Sequence, residues 1–543
     1  MKDVSIKSVS RHLIICCSLL AISSTLQAQW NSGVTVPGPE AIKITDTNLP
    51  QVKYANDITP EDLYDHLSIL ASDEYEGRET GYPGNDLARD YIVQHFESIG
   101  LTKPANGDTY LQPIAFTMSK WESNTMEVNG KEFKHLRDYM TFPTTNTDVD
   151  ISTDEVMYLG YGIDDPKYSD YGNKDVRGKV IMIYNGEPIR ADSTSYLTGT
   201  KEWSEWSTDT GKKLELAKAK GVKTVLIIEE NLKEFLFKNR KYLVGPKLDL
   251  GDLTQEGPWA NHIYISSTIA KEIIGKKTRK FTKLRKLIAR KGKSKGYNFK
   301  NNFKLNMKKD ASLIAGNNVM GVIPGTDKAD EVIVVSAHYD HIGRKGDEIF
   351  NGADDNGSGT STVLELADSF AQAARAGHSP RRTILFMLVT GEEKGLLGSE
   401  YYAEHPLYPL ANTVADVNID MVGRVDEKYT DNPNYIYVIG SDRLSQDLHD
   451  INESMNADYT HLTLDYRYND EDDPNRYYYR SDHYNFASRG IPAIFFFNGT
   501  HADYHQPGDT VDKINFDKMS EIGKHIFHLT WELSNREERI KLN

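Results

Sequence analysis

Short apolar runs alternate with segments of helical periodicity from Asn318 to the end of the chain. The runs are EVIVVSA at 331–337, TILFMLVT at 383–390, VADVNIDMVG at 414–423, YIYVIG at 435–440 and IPAIFFF at 491–497. Helical periodicity occurs in LELADSFAQAARAG at 364–377 and again near 521–532. Continuous apolar runs are typical of strands buried on both faces, and their alternation with helices is typical of α/β proteins. The pattern predicts a mainly parallel or mixed sheet flanked by helices.

The pattern changes after about Glu122, where shorter strand patterns are separated by turn residues. Examples are MEVNGKEF, EVMYLGYGI and GKVIMIYNG, and LELAKAKGVKTVLIIEE predicts a helix followed by a strand. We therefore predict an inserted β-rich domain over residues 126–304. Two predicted segments flank this insert. The first, 29–125, contains amphipathic helices in 58–77 and 85–100. The second, 305–543, would form the core of the other domain.

The first 28 residues have the composition of a secretory signal peptide. Lys2, Lys7 and Arg11 precede the apolar stretch LIICCSLLAI, which is too short to span a bilayer, and LQA ends the segment. We expect cleavage near Ala28 and export to the periplasm or the extracellular space. Both cysteines of the chain lie in this segment, so any metal site in the mature protein must use His, Asp and Glu.

Charge restricts the possible partners. The formal net charge of the 543 residues is −15, which argues against binding nucleic acid through a general basic surface. Lys271–Lys295 is locally basic, and we expect a solvated face of an amphipathic helix there; a helix that binds nucleic acid or a membrane is the alternative. No segment after the N-terminus is apolar enough to cross a membrane.

Acids and histidines recur where the apolar runs of the C-terminal region end. His338 and Asp340 follow the first run, Glu392 and Glu393 the second, Asp420 closes ADVNID, and His505 and Asp355 lie in loops. In open α/β sheets, ligands bind outside the carboxyl ends of the strands. Acids that converge there repel each other unless a positive charge lies among them. Without thiols, such a cluster suits Zn²⁺ or a similar divalent ion.

Five motifs carry a resemblance to a known family. They are HYDHIG at 338–343, NGADDNGSG at 351–359, TGEEKGLLGS at 390–399, NIDMVG at 418–423 and YHQPGDT at 504–510. In this order they resemble metallopeptidase family M28, the co-catalytic zinc aminopeptidases. The inserted segment, with YLGYGIDDPKYSDYGNKDVRGKVIMIYNGE, resembles a protease-associated (PA) domain.

The resemblance implies a site that holds two Zn²⁺ ions, although other divalent ions are possible. His338 and Asp420 would bind one ion, Glu393 and His505 the other, and Asp355 would bridge them. Asp340 would orient the ring of His338. Glu392 would be the general acid/base.

Neighbouring residues receive weaker assignments. Tyr504, next to a predicted ligand, is a candidate oxyanion donor. Asp354 is expected to be structural and Asp509 to steady the loop of His505. The last three candidates, for which packing or pocket lining is at least as good an explanation, are His341, Asp482 and His483.

The resemblance implies an exopeptidase that acts on peptide substrates, and an aminopeptidase is the preferred activity because carboxylates near the metals can hold a free α-amino group. A carboxypeptidase would need an arginine for the terminal carboxylate, and Arg344, Arg424 and Arg480 are candidates. A single-zinc glutaminyl-cyclase-like acyltransferase or a catalytically inactive binding protein would also be compatible with this architecture. The sequence does not predict the oligomeric state.

Overall fold

The computed structural model describes residues 33–35, 42–243, 245–253 and 257–543. The predicted signal peptide lies outside these residues. The chain forms two compact units: residues up to 114 together with 316–543, called unit 1, and residues 115–315, called unit 2. Unit 2 extends further at both ends than the predicted 126–304, because two long strands, Leu111–Val128 and Tyr297–Ile323, run through the predicted boundaries.

Unit 1 contains a mixed sheet. Its strands, in spatial order, are Thr463–Asp465, Tyr435–Ile439, Ala493–Phe497, Thr413–Ile419, Lys328–His338, Arg382–Val389 and the last residues of Tyr297–Ile323. The four strands from Ala493–Phe497 to Arg382–Val389 are mutually parallel. The short strand Val34–Thr35 pairs with Thr463–Asp465, and Arg344–Lys345 and Glu348–Ile349 form a separate hairpin.

Helices flank this sheet. Their bounds are Pro50–Ala55, Pro60–Leu70, Pro83–Ser98, Gly359–Arg375, Leu397–Glu404, Gln446–Met455, His483–Ala487 and Phe516–Asn535. Phe370 of one helix stacks on Phe527 of another, with ring centroids 4.4 Å apart. The prediction of a mixed or parallel sheet flanked by helices is confirmed.

Unit 2 has its own parallel strands. Val149–Tyr158, Val180–Tyr184, Thr224–Ile228 and Asn261–Ile265 lie side by side and parallel. Its other strands are Leu111–Val128, Lys131–Phe133, Tyr139–Met140, Asp164–Asp165, Tyr168–Ser169, Lys247–Leu250 and the first part of Tyr297–Ile323. Its helices are Glu205–Thr208, Thr210–Ala219, Leu232–Lys238, Arg240–Leu243, Ser267–Ile274 and Thr278–Lys291.

The basic segment of unit 2 forms an amphipathic helix, Thr278–Lys291. Phe281, Leu284 and Ile288 are buried, while most of its lysines and arginines are exposed. This burial is what the sequence pattern predicts for a solvated face. Within the part of the chain that the structure describes, none of the helices combines the length and the apolarity needed to cross a bilayer.

Candidate metal centre

Three neighbouring parallel strands of unit 1 deliver acids and a histidine to one edge of the sheet. His338 is the last residue of its strand and pairs with Val389, the last residue of the adjacent one. Glu392 and Glu393 follow Val389 after a short turn, and Asp420 directly follows Thr413–Ile419 on the other side. The carboxyl ends of parallel strands meet at one edge, which is why side chains far apart in sequence converge here.

Asp355 enters this edge from a sharply turned loop before the helix Gly359–Arg375. Gly352 has a φ of +58°, a conformation that L side chains rarely adopt. Gly359 lies so close to the strand Thr413–Ile419 that a Cβ at this position would clash with the carbonyl oxygen of Ile419. These two glycines therefore let the turn place Asp355 among the other acids.

Asp355 lies between two histidines. Its Oδ1 is 3.6 Å from Nε2 of His338, and its Oδ2 is 3.0 Å from Nε2 of His505. Each histidine has a second carboxylate: Asp420 Oδ1 lies 3.4 Å from His338 Nε2, and Glu393 Oε2 lies 3.2 Å from His505 Nε2. The structure thus brings together all five predicted ligands in two groups that share Asp355.

The charges of this cluster perturb its members strongly. Burial would lower the pKa of His338, but Glu392 and Asp420 raise it well above its ordinary value. Burial would also lower the pKa of His505, but contacts with Asp355 and Glu393 raise it to about 10. Burial raises the pKa of Glu392 well above its ordinary value. The charge of His338 opposes this rise, and the charge of the nearby Glu393 adds to it. The carboxylates of the cluster therefore favour positive charge on both histidines.

Several ligand atoms of the cluster are buried without a hydrogen-bond partner. They include His338 Nε2 and Asp420 Oδ1. Buried polar atoms are normally paired, and an orphaned set that converges on one space calls for a bound ion or water. His338, Glu392 and Asp420, and separately His341, Asp355 and Glu393, have ligand atoms close enough for one ion. The donor types, imidazole and carboxylate, suit Zn²⁺.

Asp340 is buried but contacts His338 differently from the prediction. The ring Nδ1 of His338 lies 3.1 Å from the backbone carbonyl of Asp340 and 3.8 Å from its carboxylate. The carboxylate accepts hydrogen bonds from the backbone N–H of Glu392 at 3.1 Å and from Thr80 Oγ1 at 3.0 Å. Its side chain therefore positions Glu392, while its main chain orients the His338 ring.

Asp354 and Asp509 fix the loops of the ligands. Asp354 is fully buried, accepts the Gly423 N–H at 2.7 Å and lies 3.2 Å from His501 Nε2, away from the ligand groups. The Asp509 carboxylate accepts the N–H groups of both Asp354 and Asp355 at 3.0–3.1 Å. Asp509 thus connects the His505 loop to the turn that presents Asp355.

The remaining predicted residues surround the centre. The Tyr504 ring stacks on His505 with centroids 4.0 Å apart, and its hydroxyl accepts a hydrogen bond from Arg480 at 3.3 Å. Asp482 accepts from Ser399 Oγ at 2.5 Å, and the His483 ring stacks on Phe495. Neither Asp482 nor His483 belongs to the groups His338, Glu392, Asp420 or His341, Asp355, Glu393, whose ligand atoms are close enough for one ion.

The sequence pattern does not assign a role at the site to His341 or to Arg78. For His341 the pattern favours packing at least as much as metal binding. In the structure, however, its Nδ1 lies 2.8 Å from Glu393 Oε1, while His505 Nε2 contacts the other oxygen of the same carboxylate. Arg78 is fully buried and donates to the carbonyls of Tyr339, Asn351 and Gly352, in the loops that carry His338 and Asp355. The spacing of the two histidines in HYDHIG is a usable signal for His341. The segment around Arg78 has no periodicity that points to the site.

Comparison with known families identifies the segment that carries this centre. The sequence profile of "Peptidase family M28" matches residues 318–530, which include His338, Asp355, Glu393, Asp420 and His505. This segment belongs to peptidase family M28. The predicted resemblance to M28 is confirmed, whereas the PA-like character of unit 2 stays a prediction.

Curated relatives match the M28 segment. A "Probable leucine aminopeptidase" from Arthroderma otae is 31% identical over 223 residues, which cover 40% of this chain and 57% of the relative. "Aminopeptidase YwaD" from Bacillus subtilis is 28% identical over 236 residues, 41% of this chain and 46% of the relative. The chain thus spans about half the length of these curated relatives.

A solved structure resembles a larger part of the chain. The aminopeptidase from Aneurinibacillus sp. strain AM-1 superposes with a TM-score of 0.52 at 18% identity, covering 90% of this chain and 97% of the other. At this identity the similarity concerns the fold alone.

Proposed function

We propose that this protein is a zinc-dependent exopeptidase that holds two Zn²⁺ ions and removes N-terminal residues from peptides. The observation that carries the proposal is the position of Asp355 between His338 and His505, each with a second carboxylate. The family of the M28 segment supports peptide hydrolysis, and the names of its relatives support the aminopeptidase direction.

The distances between ligand atoms support two zinc positions. Two donors of one tetrahedral zinc, each at about 2.0–2.1 Å from the metal, lie about 3.3 Å apart. The pairs His338–Asp420, at 3.4 Å, and His505–Glu393, at 3.2 Å, are close to this separation. His338, Asp420 and Asp355 would hold one ion, and His505, Glu393 and Asp355 would hold the other.

Glu392 is the general acid/base of this proposal. When bound, the zinc ions would polarise the scissile carbonyl and make a water nucleophile available near neutral pH. The Glu392 carboxylate lies 3.8 Å from His338 Nε2, and its main chain is held by Asp340. It would accept the proton of the attacking water and pass it to the leaving amine.

Tyr504 is proposed as an additional donor to the developing oxyanion. Its ring stacks on His505, and the residue lines the same cavity as Glu392 and Asp355. A hydroxyl in this position could donate to a negatively charged oxygen, as preorganised donors do in other hydrolases.

Two of the three arginines considered for a carboxypeptidase are already engaged with acids. Arg344 pairs with Glu76 at 2.7 Å and Arg424 pairs with Asp503 at 2.9 Å. Arg480 lines the cavity beside the metal ligands, so it is the one residue of the three that favours a carboxypeptidase.

The predicted signal peptide completes the proposal. Cleavage near Ala28 would release the enzyme into the periplasm or the extracellular space, where peptides are its substrates. Unit 2 is proposed to be a PA-like domain on the basis of its sequence pattern.

The test combines metal content with substrate direction. Purified mature protein, reconstituted with zinc and freed of excess metal, is expected to contain two zinc ions per chain and to release leucine from leucyl-p-nitroanilide. Blocking the substrate's α-amino group by acetylation should abolish cleavage. Cleavage of N-blocked peptides from the C-terminus would favour the carboxypeptidase, and one zinc with pyroglutamate formation would favour the cyclase. Absence of both metal and turnover would contradict an enzyme altogether.

A further inference from the structure

A cavity opens directly beside the proposed metal ligands of unit 1. Asp355, Glu392 and Asp420 line one side of it. These acids would face the reacting end of a bound peptide, because they surround the proposed zinc positions. The remaining walls therefore contact the part of the substrate next to the scissile bond.

The floor of this cavity is apolar and aromatic. Met421, Tyr477, Phe495 and Phe497 line it, and each is at least nine-tenths buried. Such a floor offers van der Waals contact to methylene groups, and none of its four residues carries a carboxylate that could pair with a charged amine. By itself it would suit any aliphatic side chain.

Arg480 is a positive side chain on the same cavity. Its guanidinium lies over the Tyr477 ring, 4.9 Å from the centroid, and donates to the Tyr504 hydroxyl at 3.3 Å. These two contacts fix the direction of an exposed side chain. Among the described residues no carboxylate lies within ion-pair distance of Arg480, whereas Arg443 and Arg467 each have an acidic partner.

The guanidinium of Arg480 is available to an incoming anion. The chain carries 79 acidic against 64 basic residues, and three acids line the same cavity. A guanidinium recognises carboxylates through parallel hydrogen bonds and cannot lose its charge at physiological pH. The carboxylate that would pair with Arg480 is therefore expected to come from the substrate.

We propose that Arg480 selects peptides whose N-terminal residue has an acidic side chain, with glutamate preferred over aspartate. The methylene groups of glutamate would contact the apolar floor, and its carboxylate would reach the guanidinium. The acids at the metal side repel a second carboxylate, so the substrate's negative charge has one favourable place in the cavity. This inference rests on the proposed aminopeptidase function.

The experiment compares isosteric substrates. Zinc-loaded protein is assayed with the p-nitroanilides of α-glutamate, glutamine and leucine. We expect kcat/KM for glutamate to exceed that for glutamine by about tenfold, as one charge-assisted contact would give. Arg480→Gln should remove this ratio; the ratio, and not the absolute kcat/KM for glutamine or leucine, is the readout, because Arg480 also donates to the Tyr504 hydroxyl.

Two further variants separate recognition from structure. Arg476→Gln is the matched control, since Arg476 stacks on Tyr479 and does not line the cavity; the glutamate preference should remain. Arg480→Glu should reverse the preference, so that lysyl-p-nitroanilide becomes a better substrate than the glutamate compound. Thermal unfolding of all variants should match the parent within a few degrees, because both arginines are exposed.

Three outcomes would overturn the proposal. Equal rates for glutamate and glutamine in the parent, with leucine cleaved, would contradict Arg480 selectivity and leave the aminopeptidase function intact. Faster cleavage of leucyl-glycine than of leucyl-glycinamide, lost in Arg480→Gln, would assign Arg480 to the C-terminal carboxylate instead. No turnover of any of these compounds by two-zinc protein would refute the proposed function itself.

Discussion

The two units place the same local sequence pattern at the end of a parallel strand, with different results. In unit 1, TILFMLVT is followed by Gly391, Glu392 and Glu393; in unit 2, VLII is followed by Glu229 and Glu230. The Glu392 and Glu393 side chains are 11% and 6% exposed, whereas Glu230 is 68% exposed.

The neighbouring strands explain this difference. In unit 1 the adjacent strand ends supply His338 and Asp420, and loops add Asp355 and His505. In unit 2 the glutamates meet Asn185, Asn231 and Arg285, and the described residues of this unit contain no group of ligand atoms suited to a metal. A pair of acids becomes a reactive site only where other elements deliver histidines to it.

Glu392→Gln should give the largest effect. The carboxamide keeps the shape of the side chain but cannot accept a proton, so kcat on leucyl-p-nitroanilide should fall by about 10²–10⁴-fold. Zinc content should remain at the parent value, because Glu392 is not one of the proposed ligands. Glu229→Gln is the control at the corresponding strand end of unit 2 and should leave kcat unchanged. A Glu392→Gln enzyme with nearly full activity would remove Glu392 from the mechanism.

Asp355→Asn should separate a metal ligand from a structural acid. A neutral amide that offers one oxygen cannot bridge two cations, so we expect at most one zinc ion per chain after dialysis, measured by atomic absorption. Asp170 in unit 2 is the matched control: it is fully buried and accepts the N–H groups of Tyr161 and Ile163.

Asp170→Asn should lower the free energy of unfolding by about 1–3 kcal/mol, because it weakens a buried set of hydrogen bonds, while the zinc content stays at the parent value. Two zinc ions retained by Asp355→Asn would contradict the bridging assignment.

The sheet and the strand-end residues of unit 1 could be predicted because they follow a local rule. An apolar run predicts the strand, and the next polar residues must lie at its carboxyl end; this placed His338, Glu393 and Asp420 at one edge. The glycines of NGADDNGSG likewise indicated the turn of Asp355. The ligand roles of these residues stay a proposal.

Other parts of the site depend on contacts that no local pattern encodes. Arg78 and Thr80 lie about 260 residues before the loops they contact, and their segment resembles an ordinary polar turn. The carboxylate of Asp340 accepts a hydrogen bond from the Glu392 main chain and not from the His338 ring. This contact depends on how adjacent strand ends pack, which no local pattern encodes. The bounds of unit 2 were also not predictable, because its first and last strands continue through the places where the composition changes.

The smallest expected effect concerns two buried lysines, one in each unit. Burial lowers the pKa of Lys518 to about 7, against the attraction of Asp354 and Asp426, and lowers that of Lys213 to about 8. Lys518 lies over the Tyr435 ring, 3.9 Å from its centroid, and donates to the carbonyl of Arg424. Lys213 donates to the carbonyl of Gly186.

Between the lowered pKa of each lysine and about pH 10.5, the lysine is protonated in the unfolded chain but largely neutral in the folded protein. The unfolded chain therefore binds more protons in this pH range. The free energy of unfolding should therefore rise with pH in this window, by at most about 1.4 kcal/mol per pH unit for each lysine. Urea unfolding of Lys518→Met should have a flatter pH dependence than the parent from about pH 7 upward. For Lys213→Met the difference should begin only near pH 8. Parallel curves for the parent and Lys518→Met between pH 7 and 9 would mean that Lys518 is charged in the folded protein, stabilised by Tyr435 and the nearby acids despite its burial.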